Sequence, residues 1–253
     1  MRFHEMPQER QKQVQKQIRA FKERFLYENK MQDKIRIDIV LTPDFVLKDY
    51  VLTPGVFQPD KMTAIEFARW VRYNNGEYTG KYVIDMCCGG GIQGIVALLS
   101  GADRATFVDY SKEACQNTLE NVIQYGLDKK AKVIQSDLFA AVPARADMIL
   151  VNPPFFPGDP LSHEPLFASM CFGEEKAKEL YREAIRFAPK MAVCYWDFAG
   201  TENDPENLAP QFRWDVERRL FLPAGYGIQQ TASDHYHFKV NILTRPIENL
   251  TIS

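Results

Sequence analysis

The chain has 253 residues, 45% of them hydrophobic, enough for one large domain with a full core. Its 31 Lys and Arg stand against 33 Asp and Glu, so no overall basic field draws it to nucleic acid. No apolar run approaches the roughly 20 residues of a membrane span, and the opening MRFHEMPQERQKQ lacks the apolar core of a signal peptide.

Five cysteines without C-x-x-C spacing fit a reducing compartment and predict a cytoplasmic protein. In chain order, residues 7–31 read as a helix, with Val14, Ile18, Phe21 and Phe25 forming a one-faced apolar stripe. Residues 1–36 hold ten Lys or Arg against five Asp or Glu. This basic arm is either a solvated helix face or a contact for RNA or an acidic protein. Residues 35–57 alternate at Ile35, Ile37 and Ile39 and carry turns at Thr42-Pro43-Asp44 and Thr53-Pro54-Gly55, which predicts short strands or a hairpin. Thr63 is placed to cap a helix reaching about Tyr73, with Ile65, Phe67, Ala68 and Val71 inward and Asn74-Asn75-Gly76 at its end. The division expected is a helical arm with the start of the hairpin, 1–44, and a main domain, 45–253.

From Lys81 strands and helices alternate. Strands are expected at 82–86, 105–109, 132–137, 147–151 and 191–196, with helices at 92–99, 111–125 and 174–187. Two further strand-like runs lie near 227–231 and 237–243. That alternation predicts an α/β fold, a Rossmann-like doubly wound, mostly parallel sheet. His235 and His237 share a strand face, but two histidines do not make a metal site and none is expected.

The strand at 82–86 runs into DMCCGGGIQG. Glycines there let a ligand approach the backbone and allow positive φ. Asp109 ends the next strand, 24 positions after Asp85, where a carboxylate can accept from both ribose hydroxyls. Asp137 ends the third, where it could receive an adenine amino group. The loop also contains the dehydrogenase spacing G-x-G-x-x-G, so the loop alone does not decide between chemistries. The pattern resembles the class I S-adenosylmethionine-dependent methyltransferases, whose first motif is D-x-G-x-G-x-G. Asp85, Cys87, Gly89 and Gly91 occupy its positions, with Cys87 in place of the first glycine. A small residue can serve there if its φ stays negative. The resemblance implies S-adenosyl-L-methionine as cofactor, bound by Asp85, Cys87, Gly89, Gly91, Asp109, Asp137 and Asn152.

The apolar run Met148–Val151 stops at Asn152-Pro153-Pro154-Phe155. The two prolines stiffen the loop and remove N–H donors. The Asn152 side-chain oxygen and the Pro153 carbonyl can then hold the two hydrogens of a planar NH₂, and Phe155 can stack on its flank. This matches the N-P-P-[FY] motif of amino-methyltransferases, which implies catalytic roles for Asn152, Pro153, Pro154 and Phe155. In that arrangement the Asn152 strand lies beside the glycine-loop strand, in a seven-stranded sheet.

Segments 51–63, 158–189 and 224–240 resemble the HemK/PrmC family, which methylates glutamine in translation release factors; the chain is also similar to the methyltransferase-small family. The acceptor implied first is a protein glutamine side chain. An exocyclic amine of an RNA base is the alternative, since the Asn-Pro-Pro-Phe-Phe form also looks like RNA base methyltransferases. A small molecule, or a non-catalytic cofactor-binding scaffold, completes the set. No membrane partner is expected.

Overall fold

The computed structural model describes residues 33–59, 63–154, 171–198, 204–222 and 236–246, together with 7–9, 11–13, 15–16, 19–20 and 23. In the arm, positions 8, 9, 11–13, 15, 16, 19, 20 and 23 are helical, while the apolar stripe at 14, 18, 21 and 25 lies outside the described residues. A hairpin follows: β1 (Ile35–Thr42) pairs antiparallel with β2 (Phe45–Leu52) around Pro43-Asp44, so its strands join across residue 44. Helix α1 (Thr63–Tyr73) buries Ala64, Phe67, Ala68, Trp70 and Val71. A backbone bond from Asn74 N–H to Trp70 O, 3.0 Å, ends it.

The main sheet is built from β3 (Tyr82–Met86), β4 (Arg104–Asp109), β5 (Ala131–Gln135), β6 (Met148–Val151), β7 (Lys190–Phe198), β8 (Asp215–Leu222) and β9 (Tyr236–Thr244). Its order is β5-β4-β3-β6-β7-β9-β8. The first five run parallel, and β9 is antiparallel to both β7 and β8. β3 and β6 are buried at every position, as strands covered on both faces must be. Helices α2 (Ile92–Leu99) and α3 (Lys112–Gln124), with α1 and the hairpin, cover one face; α4 (Glu174–Phe187) and the short α5 (Pro205–Leu208) cover the other. Ser111 caps α3 by accepting from Ala114 N–H at 3.1 Å, and Gly126 beyond its end has φ 65°.

The run expected near 227–231 lies outside the described residues, and that near 237–243 is β9. The strand that periodicity missed is β8, whose Glu217-Arg218-Arg219 interrupts any apolar alternation. Its place at the sheet edge accounts for those charges, which discourage further pairing. The chain winds outward from β3 to β5 and then returns to β6 on the other side of β3. Ligands of open α/β sheets bind beyond the carboxyl ends of the strands where that reversal occurs.

Candidate active site

The reversal places two loops side by side. The first runs from Cys87 to Gly91 between β3 and α2. Gly91 adopts φ 86°, and a Cβ there would stand 2.9 Å from Thr118 Cγ2, so only glycine fits. Gly90 is pressed from behind by Tyr50, whose hydroxyl would lie 2.5 Å from an added Cβ. Cys87 corrects the expectation of negative φ: it sits at φ 56°, in the left-handed region. A non-glycine residue there costs about 1–3 kcal/mol, and such strain gathers at ligand sites. Its partly buried side chain lines the cavity described below, and burial pushes its thiol pKa well up.

Asp85 does not face the cavity. It is buried behind the loop, where Oδ2 accepts from Gly94 N–H at 2.8 Å and so holds the start of α2 against β3. Burial drives its pKa well above the usual carboxylate value, only partly offset by that bond. Asp109 does line the cavity. Its Oδ2 accepts from Gly89 N–H and its Oδ1 from Ser111 N–H, each at 2.9 Å. Burial raises its pKa, against the lowering effect of these backbone donors. Each oxygen retains a second lone pair for a hydroxyl donor. Asp137 also reaches the cavity, but Lys176 Nζ from the first turn of α4 meets its carboxylate at 2.8 Å. Burial opposes the charge on Lys176; its hydrogen bonds to Asp137 and Glu179 outweigh that and raise its pKa.

The second loop follows β6. Val151 is in register with Met86, so Asn152 leaves the sheet beside Cys87. Asn152, Pro153 and Pro154 line the same cavity as Cys87, Gly89, Gly90 and Asp109, a space of about 690 Å³. Phe155, Phe156 and His163 lie outside the described residues, as does His235; the side chain of His237 is likewise not described. Among the described residues no group of His, Cys, Asp or Glu is arranged to hold a metal ion.

Several contributors were not read from the sequence. Gly55, Val56 and Phe57, just past the hairpin, wall one side of the cavity, and Cys171, Phe172 and Lys176 wall another. Behind the glycine loop, buried Thr118 and Asn121 of α3 bond its carbonyls, while Asn117, one turn earlier, bonds the hairpin and not the loop. A polar pair at i, i+4 on a face that should be apolar was the available signal.

Residues 53–169 match the model of the methyltransferase small domain. A ribosomal protein uL3 glutamine methyltransferase of Bordetella pertussis is 33% identical over 115 residues, 42% of this chain and 38% of that protein. A ribosomal RNA large subunit methyltransferase G of Alcanivorax borkumensis is 38% identical over 108 residues, 42% of this chain and 25% of that protein. This chain therefore spans well under half the length of either relative. Among solved structures, a 16S rRNA methyltransferase of T. thermophilus, in complex with AdoMet and guanosine, superposes with a TM-score of 0.59. That match covers 84% of this chain and 51% of the other at 16% identity. The order β5-β4-β3-β6-β7-β9-β8, the glycine loop at the reversal and the family match agree. Residues 53–169 are thus similar to the methyltransferase small domain, and the chain has the fold of the T. thermophilus 16S rRNA methyltransferase.

Proposed function

We propose that the chain is an S-adenosylmethionine-dependent N-methyltransferase acting on a planar NH₂, with a protein glutamine side chain as acceptor. One observation carries this reading: Asn152, Pro153 and Pro154 wall the same cavity as the glycine loop and Asp109. The cavity suits the cofactor. Its volume falls within the range of about 300–1,000 Å³ typical of ligand pockets. Met86, Val108 and Leu138 offer apolar contacts for a base, and the carboxylate of Asp109 supplies acceptors at the end of β4. S-adenosylmethionine, when bound, supplies an electrophilic methyl group on a positively charged sulfur.

The chain's own residues bind, orient and exclude. Asp109 and the glycine backbone would hold the ribose and the amino-acid portion. The loop after β6 carries two prolines, so its backbone presents carbonyls and no competing N–H at those positions. Asn152 Oδ1 and the Pro153 carbonyl would accept the two hydrogens of the acceptor NH₂ and stabilise charge growing on its nitrogen. No strong base is required, because the proton leaves to solvent after transfer. The acceleration is then positioning and preorganised dipoles. The 33% identical relative, named for glutamine methylation, supports a glutamine acceptor.

A second reading, methylation of an RNA base amine, draws on the 38% identical relative and on the basic arm. Both acceptors present NH₂ on an sp² carbon, which is why one site accommodates either. A cytoplasmic setting belongs to the proposal: none of Cys87, Cys88, Cys115, Cys171 and Cys194 is in a disulfide. Among the described residues no helix is long and apolar enough to cross a membrane. Incubation of the chain with methyl-labelled cofactor and cell extract, split into protein, RNA and small-molecule fractions, tests the reading. Label in protein, released as methylglutamine on proteolysis, is expected. Label in RNA moves the acceptor to the second reading, and label in no fraction refutes the activity.

A further inference from the structure

The buried side of α3 carries two carboxamides, Asn117 and Asn121, 2% and 0% exposed. A helix held by hydrophobic burial has no use for them, since each brings donors and an acceptor that must be satisfied. They are satisfied by main chain of the hairpin. Asn121 Oδ1 accepts from Val51 N–H at 2.8 Å and its Nδ2 donates to Val51 O at 3.2 Å. Asn117 Oδ1 accepts from Thr53 N–H at 3.1 Å and its Nδ2 donates to Val51 O at 2.9 Å. One helical turn apart, the two amides stand in for the strand that the outer edge of β2 lacks.

Asn121 does one thing that Asn117 does not. Its Nδ2 also donates to the carbonyl of Gly90, at 3.0 Å, in the wall of the cavity. Beside it, Thr118 donates to Gly89 O at 2.7 Å. Gly89-Gly90-Gly91 has no side chain to restrict its own backbone, so apart from the turn bond from Gly91 N–H to Cys88 O, 2.7 Å, its shape is imposed by bonds from outside. From the hairpin side, Tyr50 is packed against Gly90, and its neighbour Val51 is the residue that Asn121 grips.

We infer that Asn121 is a positioning residue of the cofactor site. It fixes the Gly90 peptide by bonding it to the backbone of the hairpin, so residues 35–52 shape a binding loop from behind its wall. The inference rests on the cofactor reading above. Its physical content is one carboxamide shared between two backbone segments. Removing it leaves the Gly90–Gly91 peptide held at its N–H alone, by the 2.7 Å bond to Cys88 O, and loosens the loop toward conformations that bind less well.

The test is calorimetric titration of the full chain, wild type and variants, with S-adenosylmethionine and with S-adenosylhomocysteine, alongside thermal unfolding. Asn121→Ala is expected to raise Kd for both compounds roughly tenfold or more, the scale of one buried hydrogen bond. Asn117→Ala cuts two hairpin bonds and none to the loop. It is expected to lower Tm comparably and to leave Kd within about twofold. A merely structural role would move Kd alike in both variants. Should Asn121→Ala not fold, Asn121→Asp keeps an acceptor for Val51 N–H, lacks the donor for Gly90, and is expected to give the same rise. Wild-type affinity in the Asn121 variant, or an equal rise in Asn117→Ala, overturns the inference while leaving the cofactor reading in place. A wild-type chain that binds neither compound overturns that reading and the inference together.

Discussion

Gly94 offers a sharp test of how the glycine loop is seated. It is the third residue of α2, and its N–H donates to buried Asp85. A Cβ at this position would stand 2.3 Å from Phe107 Cε1, 2.8 Å from Cζ and 3.0 Å from Cδ1. Carbon atoms in favourable contact sit about 3.5–4.0 Å apart. The ring would therefore have to recede by more than about 1 Å, or α2 would have to lift by as much. Phe107 is wholly buried on β4, in the core cluster beneath α2, and close packing leaves nowhere to go. Overpacking of this kind costs about 1–3 kcal/mol. Alanine returns up to about 1 kcal/mol through its better helix propensity. The net expectation for Gly94→Ala is a loss of about 1–2 kcal/mol, read as a lower urea midpoint at unchanged slope. Phe107→Leu removes the offending ring edge. The double variant should accordingly lose less than the sum of the two single losses, by about 0.5 kcal/mol or more. A Gly94→Ala chain as stable as wild type, or strict additivity in the double variant, would refute the reasoning.

Three further outcomes follow from the same geometry. Asp109→Ala removes the carboxylate that braces Gly89 and Ser111 and faces the cavity, so cofactor affinity should fall by about 1.5–3 kcal/mol, the range for a charged hydrogen bond; unchanged calorimetric affinity would displace the assignment. Asn241 is fully buried in β9 with neither side-chain amide atom hydrogen-bonded, so Asn241→Leu should stabilise the fold by about 1–3 kcal/mol, and a lower denaturation midpoint would show that the amide is satisfied after all. Because burial lifts the pKa of Asp85 above its unfolded value near 3.8, the folded chain keeps this proton where the unfolded chain has lost it. The stability linked to Asp85 is thus complete below that value and declines as pH rises through the folded pKa. Asp85→Asn should flatten this part of the stability profile, and parallel profiles for the two chains would contradict it.

Much of the site was legible because it depends on local pattern. The strand 82–86 and the helices 92–99 and 174–187 appear with the boundaries expected, since a buried parallel strand, an apolar run opened by a glycine loop and an amphipathic helix each leave a local pattern. The meeting of Asn152 with the glycine loop followed once strand order was inferred from the resemblance. What escaped depends on distant partners. The value of Asn121 lies in Val51, 70 positions away, and no spacing rule reports such a contact. Lys176 reaches Asp137 from another element. Cys87 was expected to avoid positive φ, but its conformation is dictated by the path from β3 into α2, not by its side chain. β8 was hidden by charges suited to an edge.

The central claim is that one cavity binds S-adenosylmethionine and presents it to an NH₂ held at Asn152. It is tested most directly by measuring, for Asn152→Ala, both cofactor affinity and the single-turnover rate of methyl transfer to the labelled acceptor fraction. The account predicts affinity within about threefold of wild type and a rate lower by roughly 10²-fold or more, the effect of removing one preorganised contact. Transfer at near the wild-type rate, with the cofactor still bound, would contradict it.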